Sequence, residues 1–213
     1  MIDELNIVYV IRTYSPFMIE SLQSLERIRI PYRLIVIEER NHRWAQAINE
    51  GLDKVENGPV LIMEEDVIIP PDKILTDCML PDNNTIWSGL LLTGVDIIGH
   101  GGAMINPESK EFNLIHGLYS ELITSYPRQV DILSGSFLYL PEEAWTKVRP
   151  KTLPGLGWED IAWQLELKKE GFKCWVLPLK IFHFCQMAQG ITTDVQKQIQ
   201  ANFGLIQKML KNK

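Results

Sequence analysis

The sequence predicts an α/β protein with a central, mostly parallel sheet flanked by helices. Three observations in its first third carry that prediction. Short β-branched runs alternate with stretches of helical periodicity, and the third run, residues 59–63, is apolar throughout, as a strand buried on both faces must be. Each run also stops abruptly in charge: Arg12 after the first, Glu38-Glu39-Arg40 after the second and Glu64-Glu65-Asp66 after the third. A strand-helix-strand-helix-strand order implies right-handed crossovers and a doubly wound sheet.

The elements follow in order. Residues 6–11 form the first strand, and Tyr14-Ser15-Pro16 leads into a helix, with Ser15 placed to cap and Pro16 at the first helical position. Met18, Leu22, Leu25 and Ile28 give that helix its apolar side. Residues 33–37 are the second strand, and Trp44, Ile48, Leu52 and Val55 mark the second helix. From 85 to 126 apolar pieces are broken by Gly89, Gly94, Gly99, Gly101, Gly102 and Gly117, a pattern of hairpins and loops. Residues 130–140 read as a strand, 141–148 as a short helix, 159–170 as a helix and 172–177 as the last strand. Val195, Ile199, Phe203, Ile206 and Leu210 then form a stripe on a C-terminal helix.

The 213 residues suit one large domain, and 46% hydrophobic with 23% charged residues is the composition of a folded chain. A net charge of −6 provides no global basic field for nucleic acid or anionic lipid, so a phosphate-bearing partner needs a local site. The start, Met1-Ile2-Asp3-Glu4, is acidic where a signal peptide is basic, and no apolar run approaches the ~18 residues of a membrane helix. Cys78, Cys174 and Cys185 form no C-x-x-C pair and read as buried hydrophobes in a reducing compartment. Together these features predict a cytoplasmic protein. The C-terminal stripe is expected to pack on the sheet or first helix of its own domain. The alternative is a dimer contact or peripheral membrane contact through Lys208, Lys211 and Lys213.

In an open α/β sheet, ligands bind beyond the carboxyl ends of the strands, which is where the charges cluster. Glu64 and Asp66, two apart in extended chain, project the same way and could approach one hard divalent cation, with Glu65 pointing elsewhere. The plain alternatives are strand ends meeting solvent, or Asp66 or Asp72 at the start of the helix that Pro70-Pro71 introduces. Gly155-Leu156-Gly157 leads into Trp158-Glu159-Asp160, where acidic residues suit a first helical turn. A Trp face beside a carboxylate also suits a sugar ring with one hydroxyl to deprotonate. His183, among aromatics, is either a structural histidine or a metal ligand.

In order along the chain, these segments resemble the inverting GT-A glycosyltransferases, above all the family 2 group. The resemblance rests on Val8-Tyr9-Val10-Ile11-Arg12-Thr13-Tyr14, the strand-end pair Glu38-Glu39, Ala47-Ile48-Asn49-Glu50-Gly51, Glu64-Glu65-Asp66 with Pro71-Asp72, Ser134-Gly135-Ser136-Phe137, Glu159-Asp160 and His183. Glu64 stands where that family usually has Asp, and Ser15 where many members have Asn.

The resemblance implies a GT-A, Rossmann-like fold with a nucleotide-sugar-binding half (1–80), an acceptor and catalytic half (81–190) and a C-terminal helix (191–213). It implies Mn²⁺ or Mg²⁺ held by Asp66 and His183, with Glu64 possible, and imidazole favours Mn²⁺. Arg12, Thr13, Glu38, Arg43, Asn49 and Glu65 are its candidate donor-site residues, with Asn49 fastening backbone. Asp160 is the candidate base, with Glu159 beside it and Trp158 for the acceptor. The expected donor is a UDP- or dTDP-linked sugar, and the acceptor a hydroxyl of a glycan or glycoconjugate. Two rivals remain: a sugar-phosphate nucleotidylyltransferase, whose glycine-rich basic loop has no match in Arg12-Thr13-Tyr14-Ser15-Pro16, and an inactive sugar-binding relative, for which Glu64 argues.

Overall fold

The structure is a computed structural model that describes residues 4–12, 15–39, 43–71, 83–94, 96–123, 126–154, 157–184 and 193–211. In chain order the elements are β1 (Leu5–Ile11), α1 (Met18–Ser24), β2 (Tyr32–Glu38), α2 (Trp44–Leu52), β3 (Val60–Glu64), β4 (Val67–Ile68), β5 (Thr85–Leu92), β6 (Ile97–His100), β7 (Ala103–Ile105), β8 (Phe112–Leu114), β9 (Gly117–Leu118), α3 (Tyr119–Leu122), β10 (Arg128–Val130), β11 (Phe137–Leu140), α4 (Glu142–Lys147), α5 (Glu159–Lys169), β12 (Lys173–His183) and α6 (Thr193–Lys211).

The main sheet runs β10-β12-β5-β11-β3-β1-β2. β1 pairs in parallel with β2 and β3, and β5 in parallel with β12. β11 lies antiparallel between β3 and β5, so β2, β1, β3, β5 and β12 all run one way. β10 is antiparallel on β12, and β7 and β8 form a separate hairpin. The expected mostly parallel sheet is present, and its five co-directional strands deliver Arg12, Glu39, Glu64 and His183 to one edge.

Alternation along the strands builds a core on each face. Val8, Val10, Ile35, Ile37 and Ile62 pack under Trp44, Ile48 and Leu52 of α2, whereas Leu5, Ile7, Tyr9, Leu61 and Met63 face Leu25 and Ile28. Burial of each such side chain stabilises the fold by roughly 1.5–3 kcal/mol. Gly51 explains the glycine of the Ala47 to Gly51 motif: a Cβ there would lie 2.4 Å from Val8 Cγ1. Helix α2 therefore approaches β1 too closely for any side chain at that position.

Three elements differ from the sequence reading. Residues 85–92, expected among loops, form β5, an eight-residue strand buried along its whole length. Ser88 and Gly89 hide it in the sequence, because polarity and missing bulk conceal a strand covered on both faces. The strand expected over 130–140 divides into β10 and β11, separated by residues 131–136. The last strand, expected to end at 177, continues through Pro178 to His183; its register with β5 shifts between Val176 and Lys180, a bulge that accommodates the missing N–H.

Helix α1 also starts later than expected. Ser15 Oγ accepts the Phe17 N–H at 3.1 Å and the Ser15 carbonyl accepts Met18 N–H, so Ser15 organises the turn before the helix. Helix α6 packs on its own domain, but on α5 and the β7–β8 hairpin rather than on the sheet or α1: Ile206 and Leu210 are buried against Ala162, Leu165 and Ile105. No helix among the described residues is long and apolar enough to cross a membrane.

Candidate active site

The carboxyl edge of the sheet gathers residues far apart in sequence. Glu64 is the last residue of β3 and His183 the last of β12, while Asp66 lies in the tight turn to β4. β4 pairs with the end of β12, His183 opposite Val67, and the Phe184 N–H bonds to the Asp66 carbonyl at 3.1 Å. This pairing brings His183 Nε2 to 3.5 Å from Asp66 Oδ1 and 4.0 Å from Glu64 Oε2. One ligand atom from each of the three lies within 4.8 Å of the others. Two carboxylates and an imidazole, all largely buried, form a donor set suited to a hard or borderline divalent cation, so the residues fit Mn²⁺ or Mg²⁺.

Arg12 follows β1 and lies between the ends of β2 and β3. Its Nε donates to Glu39 Oε2 at 2.9 Å and its Nη2 to Glu64 Oε1 at 2.8 Å, while its backbone N–H donates to Glu65 Oε1 at 3.1 Å. The expected nucleotide-lining guanidinium thus bridges two carboxylates. The acidic pair after β2 divides accordingly: Glu39 turns inward and is buried, and Glu38 is exposed. Burial works against the charge on Glu64, yet Arg12, His183 and a hydrogen bond from Ser136 together hold its carboxyl below the ordinary range. Glu64, chiefly, in turn raises the pKa of Arg12.

Asp160 is the second residue of α5 and lies near enough to Glu64 to feel its charge. Its Oδ2 accepts the Gly135 N–H at 3.2 Å. Burial pushes its pKa up to about 6, against backbone hydrogen bonds that lower it and with help from the nearby Glu64 charge. A carboxyl poised near neutrality beside a candidate metal group is the combination expected of a general base. The turn before it is strained: Trp158 sits at φ 67°, a left-handed conformation uncommon for a bulky residue.

Trp158 and Glu159 both have partners within the chain. The Trp158 ring packs 5.0 Å from Phe203 of α6 and 6.0 Å from Phe112 of β8, so it links α6 to the turn before α5. Glu159 is 2% exposed, and its Oε2 and Oε1 accept the N–H groups of Ala45 (2.8 Å) and Leu153 (3.0 Å). Its carboxylate satisfies a donor in the first turn of α2. Arg43 Nη1 donates to the Leu153 carbonyl and Asn49 Nδ2 to the Pro150 carbonyl, at 2.9 and 2.8 Å. Arg43, Asn49 and Glu159 together clamp segment 150–153 to α2, the backbone-fastening task expected of Asn49. Thr13 lies outside the described residues, as do Asp72, Cys78 and Cys185.

Two residues of this edge were given no individual role in the sequence reading. Glu39 is one; its signal was Arg12 itself, since a guanidinium at the end of a buried strand requires carboxylates nearby. The other is His100, at the end of β6, whose Nδ1 accepts the Gly102 N–H at 3.2 Å. Burial, then the nearby His183, lower its pKa to about 4. Its flanking run, Gly99 and Gly101-Gly102, was the available clue.

No family model matches the chain, and no curated protein matches it in sequence. Solved structures do. The crystal structure of GalNAc-T7 with UDP, GalNAc and Mn²⁺ superposes with a TM-score of 0.60 at 11% identity, covering 85% of this chain and 44% of that one. S. aureus TarS gives 0.58 at 10% identity, over 84% of this chain and 36% of that one. A197 from STIV gives 0.50 at 15% identity, over 85% and 86%. The chain thus spans less than half the length of GalNAc-T7 and TarS. At these identities the likeness speaks for the architecture, and the architecture is the GT-A glycosyltransferase fold.

Proposed function

We propose that this protein is a metal-dependent, inverting glycosyltransferase that moves a sugar from a nucleoside-diphosphate donor, UDP- or dTDP-linked, to a hydroxyl of a glycan or glycoconjugate. One observation carries the reading: on a GT-A sheet, the Glu64, Asp66 and His183 group and the base-like Asp160 carboxyl share one edge. The UDP, GalNAc and Mn²⁺ held by the GalNAc-T7 crystal structure support a donor of that class and a manganese ion.

Glu64, Asp66 and His183 would hold the cation, which supplies Lewis-acid neutralisation of the diphosphate. Asp160 takes the proton of the acceptor hydroxyl as its oxygen bonds to the anomeric carbon. The bond from that carbon to the diphosphate oxygen breaks, and its electron pair leaves with the nucleoside diphosphate. Direct displacement of this kind inverts the anomeric configuration. Gly135 and the strained turn at Trp158 hold the Asp160 carboxylate in place.

A thermal-shift panel of nucleotide sugars with and without Mn²⁺, followed by NMR of donor hydrolysis, tests the reading. A ligand at 100 times its Kd adds ~2.7 kcal/mol of stability. Mn²⁺-dependent stabilisation and slow hydrolysis are expected. Binding with no turnover in the presence of any acceptor would leave a sugar-binding protein, and pyrophosphate release from a nucleoside triphosphate would mark a nucleotidylyltransferase.

A further inference from the structure

Glu64 is shared. One of its oxygens is bonded to Arg12 at 2.8 Å, and the other faces His183 and Asp66. Arg12 is in turn fixed from behind by Glu39 at 2.9 Å, in a pair only 16% and 2% exposed, so the guanidinium has little freedom to leave. A cation held by Glu64, Asp66 and His183 would therefore share a carboxylate with a permanent positive charge. Arginine cannot deprotonate to relieve that repulsion. In a site this sheltered, charges in such proximity interact through a low effective dielectric, so the cost to the cation is larger than at a surface.

Building on the proposed glycosyl transfer, we infer that Arg12 is a positioning residue that makes metal binding depend on the diphosphate. It aims one Glu64 oxygen at the metal group and subtracts from the negative charge available there. The free protein then holds the cation weakly, and the diphosphate of the donor supplies the missing negative charge. By linkage, the metal tightens the diphosphate by the same factor. In this role Arg12 works through its Nε and Nη2, which are engaged with Glu39 and Glu64.

Mn²⁺ titration by calorimetry, with and without UDP as the diphosphate probe, tests the inference in the intact chain. Wild type should bind Mn²⁺ at least tenfold more tightly with UDP. Arg12→Gln removes the charge, so Mn²⁺ alone should bind at least fivefold more tightly than to wild type, and the UDP effect should shrink. Arg12→Lys keeps the charge and should stay within twofold of wild type for Mn²⁺ alone. Glu39→Gln leaves the Arg12 charge less compensated and should weaken Mn²⁺ at least threefold, which decides the matter if Arg12→Gln does not fold. Arg12→Gln binding Mn²⁺ no more tightly than wild type, or Glu39→Gln binding it equally or more tightly, overturns the inference while the glycosyltransferase reading stands. A wild-type protein that binds no Mn²⁺ even with UDP overturns both.

Discussion

The Gly135 N–H donates to Asp160 Oδ2 at 3.2 Å across the gap between the turn before β11 and the start of α5. The contact depends on the absence of a side chain at 135. A Cβ there would meet Asp160 Cβ at 2.7 Å, its Oδ2 at 3.0 Å and Trp44 Cζ2 at 3.1 Å. All three neighbours are packed, so Gly135→Ala must push the Asp160 carboxylate out of position. Donor affinity should stay within threefold, because the metal group is separate, while transfer should fall by about 10²-fold, the cost of a misplacement near 1 Å. Full transfer by Gly135→Ala would show that the placement of Asp160 is unimportant.

The metal group makes a separable prediction. Asp66→Ala or His183→Ala should abolish Mn²⁺-dependent binding of a nucleotide sugar, with unchanged far-UV circular dichroism. Calorimetry in Mn²⁺ and in EDTA measures the difference. A variant with wild-type affinity in Mn²⁺ would remove that residue from the metal group.

How far these placements could be read from sequence varies with the physical cause. β2 and α2 were legible because their burial follows a period, and β1 and β3 because their runs are apolar almost throughout. β5 was not, since a central strand covered on both faces has no alternation and Ser88-Gly89 interrupts its apolar run. His183 and Asp66 were recognisable through the resemblance, but that β4 carries one to the other is a pairing of two short segments with no local signature. Charged strand ends look alike in sequence. Only the sheet order shows that Arg12 is enclosed by Glu39 and Glu64, and that Glu159, adjacent to Asp160, turns the other way into backbone.

Glu159 therefore answers to stability. Glu159→Gln replaces one acceptor oxygen by an amide group that must confront a backbone N–H, leaving Ala45 or Leu153 without its partner. The expected loss is about 1–3 kcal/mol, read by urea unfolding at pH 7. Transfer measured well below the melting temperature should fall far less than in Asp160→Asn. Unchanged stability with a rise confined to acceptor KM would place Glu159 at the acceptor instead.

The aromatic contact of Trp158 with Phe203 ties α6 to the rest of the fold, and Ile206 and Leu210 complete a small core with α5. Removing residues 193–213 uncovers Ala162, Leu165, Ile105 and Phe112 together. The shortened chain should aggregate or bind a hydrophobic dye strongly, as light scattering and dye fluorescence would record. A soluble, fully active truncation that has merely lost binding to anionic liposomes would assign α6 to a membrane surface.

The proton transfer itself makes the sharpest test. A base must be ionised, and burial raises Asp160 to about 6, above the ordinary carboxylate range. Activity should therefore be low below that pH and climb through it, the limb belonging to the deprotonated carboxylate. Asp160→Asn preserves size but cannot accept the proton, so donor binding should persist while transfer drops roughly 10²–10⁴-fold and the limb near pH 6 disappears. Product NMR should show the anomeric configuration opposite to that of the donor, because one direct displacement inverts it. Retention of configuration, or an Asp160→Asn enzyme near the wild-type rate with the same pH limb, would assign the chemistry to another group at this edge.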